Sequence, residues 1–248
     1  MAQPRALEVS FAENYAVLSL KNGENRIDME FLKQFNSALD EIERCKKVQF
    51  LITTGDGKFY SNGLDQTFLK TCSTEEFMET FNLLNKTLIR FMTFPVLTVA
   101  AINGHAFALG AILALAHDYR VMRTKKGWFC LPEVKYDMLF GKATILLLRA
   151  KIKEPKVLTD AVLMGWRFVA EEALSGGIVQ KICDIEDLLN TAVHMGQAVI
   201  GQNIFKRDTI KHLKSQLYSD IINAFQSDTV SRQGVLQSIA QFDRKSKL

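Results

Sequence analysis

The chain has 248 residues, 48% hydrophobic and 23% charged, with 14 Gly and 4 Pro. That composition excludes disordered, collagen-like and low-complexity classes and is enough for a sizeable core. Lys and Arg number 31 against 27 Asp and Glu, a net charge of +4, too weak a bias to indicate nucleic acid and compatible with an anionic small molecule. Cys45, Cys72, Cys130 and Cys183 lie far apart, with no CxxC pair and no short Cys/His spacing, so they read as buried thiols of a reducing compartment, and no metal site is expected.

In chain order, apolar and polar residues alternate through Leu7, Val9 and Phe11 and again through Tyr15 and Val17, which predicts a β-hairpin turning at Glu13-Asn14. The start, MAQPRALEVSF, has neither the apolar stretch of a secretory leader nor the Arg/Ser-rich pattern of a mitochondrial one. Asp28 is a candidate N-cap for a helix whose stripe is Leu32, Phe35, Leu39 and Ile42. A strand over Val48–Thr53 runs into the turn Gly55-Asp56-Gly57 and a loop from Phe59 to Asp65. Ser73 and Glu76 form a capping box for a helix with Phe77, Phe81, Leu84, Leu88 and Phe91 on its core face.

Pro95 closes that helix region, and the β-branched run Val96–Ile102 suits a strand buried on both faces. After Asn103-Gly104 an Ala/Leu-rich helix begins near Ala108. The apolar run Ala106–Ala116 is eleven residues long, against the roughly 20 that a membrane span needs, so it predicts a core helix. Short strands are expected at Tyr119–Arg123 and Trp128–Leu131, around the basic turn Lys125-Lys126-Gly127. From Gly141 the pattern is mainly helical, interrupted by Gly176-Gly177 and a strand over Ile178–Ile182, and from Asp184 it reads as three helices. The organisation is an α/β core over residues 1–190 and a helical region over 191–248. The last three residues, Ser246-Lys247-Leu248, spell a peroxisomal address that an import receptor reads, which places the protein in the peroxisomal matrix.

Two loops of similar construction follow strands, Lys58–Asp65 and Asn103–Gly110, each placing small residues ahead of a helix, where unpaired N–H groups meet a positive dipole end. Such junctions suit an oxyanion, and taken alone they read as ordinary strand-to-helix turns. Glu133 follows Leu131-Pro132 near Trp128, Phe129, Met138 and Phe140. Apolar surroundings would make it a base near neutral pH, whereas on a wet loop it is a solubilising charge, the commoner case for Glu. His105 and His117 lack the spacing of metal ligands and read as hydrogen-bonded packing residues, and Asp137 as a surface charge.

The segments LITTGDGKFYSNGLD, VLTVAAINGHAFALGAILALAHDYR and WFCLPEV and, more weakly, AEEALSGGIV resemble the crotonase superfamily, the enoyl-CoA hydratases and isomerases, in order and spacing over about residues 5 to 185. The resemblance implies an α/β spiral of ββα units with a C-terminal helical region, assembled as a homotrimer and binding an acyl-CoA thioester. It places the thioester oxygen between the main-chain N–H groups of Leu64 and Leu109. Ser61, Asn62, Gly63, Leu64, Asp65, Leu109 and Pro132 would line the substrate, and Glu133 would be the acid/base. Family hydratases carry a further Glu in the helix after the second loop, where this chain has Ile112. The single-Glu pattern resembles that of the delta(3),delta(2)-enoyl-CoA isomerases, which move the double bond of 3-enoyl-CoA esters to the 2-trans position in β-oxidation and need no metal or redox cofactor. The other activities to weigh are hydratase, dienoyl-CoA isomerase, thioesterase and a non-catalytic acyl-CoA binding protein. Two positions depart from the family pattern: Leu109, where Gly is usual, and Val134–Met138, which lacks a Gly-Leu or Gly-Ile pair. Alignment of the second donor therefore turns on the backbone at Leu109. Lys206, Arg207 and Lys211 read as a solvated helix face, with the phosphates of coenzyme A as the other reading.

Overall fold

The computed structural model describes residues 7–203 and 205–227, so Ser246-Lys247-Leu248 lies outside the described residues. Strands β1 (Leu7–Phe11) and β2 (Tyr15–Leu20) form the expected antiparallel hairpin, with Leu7 opposite Leu20 and Phe11 opposite Ala16. Asp28 caps α1 (Met29–Arg44), its carboxylate accepting the Phe31 N–H at 2.7 Å, and the stripe Leu32, Phe35, Leu39 and Ile42 is buried. The next strand, β3, spans Phe50–Gly55 rather than Val48–Thr53, because Val48 is held in a turn by its N–H bond to the Cys45 carbonyl.

The expected loop from Phe59 begins with a short strand, β4 (Phe59–Ser61). Asp65 then caps α2 (Gln66–Thr71), and Ser73 and Glu76 form the capping box of α3 (Thr74–Met92). Strand β5 (Leu97–Ile102) leads through a second short strand, β6 (His105–Phe107), into α4 (Leu109–Leu115). Strand β7 (Tyr119–Arg123) leads through β8 (Phe129–Cys130) and a 3-10 turn at Glu133–Tyr136 to α5 (Lys142–Lys151). Helices α6 (Pro155–Leu163) and α7 (Ala170–Ser175) precede β9. That strand occupies Lys181–Cys183 rather than Ile178–Ile182, since the N–H groups of Ile178 and Val179 both turn back to the Ala173 carbonyl at the end of α7. Helices α8 (Leu188–Ile200), α9 (Arg207–Leu217) and α10 (Ser219–Ser227) complete the described chain.

Six strands form one sheet in the order β1-β2-β3-β5-β7-β9, parallel apart from the hairpin, and β4-β6-β8 form a second, parallel sheet. The pairs β3-β4, β5-β6 and β7-β8 each send one strand to the large sheet and the next to the small one before a helix follows. This is the spiral of ββα units that the resemblance implies. Helices α1, α3, α4 and α5 bury their apolar stripes on one side of the large sheet. On the other side, Val17, Phe50, Ile52, Val99 and Val121 pack against Leu188, Ala192, Met195 and Ile200 of α8. Each buried Val, Ile, Leu, Met or Phe among them contributes about 1.5–3 kcal/mol. Gly196 lets α8 lie on Phe50, whose ring a Cβ at residue 196 would approach to 2.5 Å. Residue 190 thus falls in the first turn of the helix that covers the sheet.

Polar contacts dock the last two helices. Lys214 Nζ donates to Asp118 Oδ2 at 2.5 Å and to the Val96 carbonyl at 2.8 Å, and Lys151 Nζ donates to the Tyr218 hydroxyl at 2.6 Å. The four cysteines are free thiols, Cys72 and Cys130 buried and Cys45 and Cys183 only partly so, which corrects the expectation of four buried ones. No helix among the described residues is long and apolar enough to cross a membrane.

Candidate active site

Residues 61–65 are strapped down by residues 24–27. Asn62 N–H donates to the Glu24 carbonyl at 2.9 Å, Ile27 N–H to the Gly63 carbonyl at 2.8 Å, and Asp65 N–H to the Ile27 carbonyl at 3.0 Å. The Ser61 hydroxyl donates to the Asn25 carbonyl at 2.7 Å and accepts the Gly63 N–H at 3.3 Å. The N–H groups of residues 62, 63 and 65 are therefore used, while that of Leu64 makes no hydrogen bond among the described residues. Its carbonyl is held by Arg26 Nη1 at 3.1 Å. A peptide whose carbonyl is already bonded, as that of Gly63 is, presents a more polarised N–H on its other side, here that of Leu64.

The second loop comes up beside the first. Ala108 N–H donates to the Cys130 carbonyl at 3.0 Å, tying it to β8, and α4 begins at Leu109 with no side-chain cap, so the Leu109 N–H has no partner among the described residues. Gly63, at φ +78°, makes the approach of the loops possible: a Cβ there would stand 3.2 Å from the Leu109 nitrogen and 3.0 Å from the Phe107 carbonyl oxygen. Gly110 packs as closely, since a Cβ would fall 2.2 Å from the Ser61 carbonyl oxygen. Leu109 does not need the backbone freedom of glycine. The positive φ falls one residue earlier, on Ala108 at φ 50° and ψ −123°, a strained conformation for an L residue.

Glu133 opens the 3-10 turn three residues after β8, and Asp137, left-handed at φ 54°, ends it. The Glu133 side chain is buried and its Oε2 has no hydrogen-bond partner among the described residues. Burial pushes its carboxyl up to about 7, opposed by a hydrogen bond from its own backbone. Of the sequence-derived site residues, Asn62, Leu64, Leu109, Pro132 and Glu133 line one cavity of about 370 Å³. Ser61, Gly63 and Asp65 are not among its lining residues: Ser61 and Gly63 are within the strapped loop and Asp65 caps α2. Ile112 also lines the cavity, and Glu133 is the one carboxylate among the described lining residues. The lining cations are Arg26 and Lys70.

Sequence reasoning missed the 24–27 strap and the contribution of α10, whose Phe225 lines the cavity. Asn25 offered a faint signal: it is wholly buried at φ 50° and its amide donates to the Tyr60 carbonyl at 3.1 Å. Arg207 is no substrate ligand here, because its guanidinium bonds the carbonyls of Glu43, Cys45 and Val48 at 2.6–2.8 Å. A larger hollow of about 1450 Å³ beside α9 contains none of Leu64, Leu109 and Glu133. His117 is a packing residue, bonded to Thr53 at 2.8 Å and to the Leu113 carbonyl at 2.9 Å, and its burial brings it down to about 3. His105 packs against the rings of Phe59, Phe107 and Trp128 outside the cavity, and its Nδ1, expected to be bonded, has no partner among the described residues. No group of three or more His, Cys, Asp or Glu suited to a metal occurs among the described residues.

A ββα spiral that closes two free main-chain donors and one buried carboxylate around an apolar cavity is the architecture of a crotonase-type enzyme. The family described as enoyl-CoA hydratase/isomerase matches residues 11–246, and the chain belongs to that family. Among its relatives are enoyl-CoA delta isomerase 1, peroxisomal, of Arabidopsis thaliana, 28% identical over 72% of this chain and 75% of the relative, and a putative enoyl-CoA hydratase of Thermus thermophilus, 33% identical over 74% of each. The human mitochondrial delta3-delta2-enoyl-CoA isomerase shares the fold, with a TM-score of 0.82 and 22% identity over 98% of both chains.

Proposed function

We propose that the protein is an isomerase that moves the double bond of 3-enoyl-CoA esters to the 2-trans position, serving β-oxidation of unsaturated fatty acids in the peroxisomal matrix. The observation that carries this reading is that Glu133 is the one carboxylate among the described residues lining the cavity, with Ile112 apolar at the position where a second acid would serve to activate water. The ionised Glu133 takes a proton from C2 and returns it to C4, so the carboxylate is regenerated and the atoms balance without a cofactor. The N–H groups of Leu64 and Leu109 stabilise the dienolate oxygen, where charge develops. Arg26 and Lys70 would attract the anionic part of coenzyme A as it enters. Import through Ser246-Lys247-Leu248 and assembly as a homotrimer complete the proposal.

The test is conversion of 3-hexenoyl-CoA and 3-dodecenoyl-CoA by wild type and Glu133→Gln, with the products resolved by chromatography. Formation of 2-trans-enoyl-CoA by wild type, reduced about 10²- to 10⁴-fold in the variant, is the expected result. Formation of a 3-hydroxyacyl-CoA or of free coenzyme A, or binding without turnover, would transfer the protein to the hydratase, thioesterase or non-catalytic reading.

A further inference from the structure

The lining of the active-site cavity runs from wet to dry. Gln66, Lys70 and Leu139 are exposed, Leu139 by 95%, and mark its mouth. Leu84, Leu88, Ile112 and Phe225 are each exposed by less than a tenth and belong to its buried part. Three of these four belong to helices of the ββα core. Phe225 comes from α10, after the spiral has ended, and the Asn85 amide of α3 holds its carbonyl at 3.3 Å. Ile221 and Ala224 of the same helix are buried in the main core, and Tyr218 at its start is tied to Lys151, so α10 is docked at both ends.

We infer that Phe225 is the stop of the acyl pocket and selects thioesters by chain length, an inference that rests on the acyl-CoA reading above. An apolar cavity of roughly 150 Å³ takes a six-carbon ring. The cavity of about 370 Å³ therefore has room for about fifteen heavy atoms, shared between the thioester arm and the acyl chain. A six-carbon acyl thioester, about eight heavy atoms with its oxygen and sulfur, leaves room for the coenzyme arm, whereas a twelve-carbon one, about fourteen, fills the space by itself and meets the Phe225 ring once the arm enters, in a wall packed too tightly to yield.

The experiment measures kcat/KM for 3-hexenoyl-CoA and 3-dodecenoyl-CoA, and Kd for the saturated hexanoyl- and dodecanoyl-CoA, on wild type, Phe225→Ala, Phe225→Leu and Phe225→Trp. Removing ring volume raises the dodecenoyl-to-hexenoyl ratio by about tenfold or more, and Phe225→Trp lowers it, because each methylene that gains or loses its place is worth roughly a tenfold or larger factor. Phe225→Leu keeps a buried apolar side chain and serves where Phe225→Ala does not fold. Ratios unmoved in folded Phe225→Leu and Phe225→Trp overturn the inference. If wild type turns over neither enoyl ester, the isomerase reading fails by itself and the Kd ratios decide: a shift with residue 225 sustains the wall, and no shift removes it.

Discussion

The Oε2 of Glu133 is buried without a partner among the described residues, and on the proposed reading this one atom couples the chemistry to the stability of the chain. With its carboxyl at about 7, turnover that needs the ionised form should rise with pH through that value, to be read as the acid limb of the kcat/KM profile. The stability effect has the opposite sense. A carboxyl raised from 4.5 to about 7 stabilises the folded chain fully below pH 4.5 and loses that stabilisation as pH rises through 7, on the order of 3 kcal/mol. Glu133→Gln should therefore melt higher than wild type at pH 8 and alongside it near pH 4, as thermal unfolding across that range will show. Ala108 is the other costly residue: at φ 50° it carries strain of about 1–3 kcal/mol, and Ala108→Gly should raise unfolding stability by about 1 kcal/mol. The sequence pointed to Leu109 as the departure from glycine and could not show that the turn places its positive φ on the residue before.

Elements with local signals were legible. The Asp28 cap, the capping box of Ser73 and Glu76 and the helical stripes that follow them depend on residues three or four apart, so spacing alone exposes them. In the small sheet only β8 was, inside the short strand expected at Trp128–Leu131, while β4 and β6 are three residues long, too short for an alternation to register. Yet this sheet positions the site. Its contact with α4 is so close that Gly110→Ala, with a Cβ 2.2 Å from the Ser61 carbonyl oxygen, should push the two loops apart. The expected outcome is a loss of about 1–3 kcal/mol in chemical denaturation and a larger proportional loss of kcat, since two donors would be displaced together.

At the scale of the molecule, the core of ββα units was readable from the order and spacing of matched segments, whereas pieces brought from afar were not. The strap at residues 24–27 and the Phe225 wall reach the cavity across long stretches of chain, and no periodicity records such a meeting. The attachment of α9 depends on Lys214 and Asp118, whose side chains are only 10% and 14% exposed. Lys214→Met leaves that carboxylate without its cation, and a destabilisation of about 3–5 kcal/mol is expected in denaturant titrations. The parallel small sheet has a further consequence. Leu64 stands three residues past β4, Leu109 two past β6 and Glu133 three past β8, so corresponding addresses on three successive turns of the spiral face the same hollow. Two of those addresses contribute only main chain, which any side chain compatible with the backbone preserves, and one contributes a functional group. Such a scaffold can be reassigned to a new reaction by rewriting a single letter while the main-chain frame stays in place, and on the proposed reading Ile112, in the same lining as Glu133, is one such rewriting.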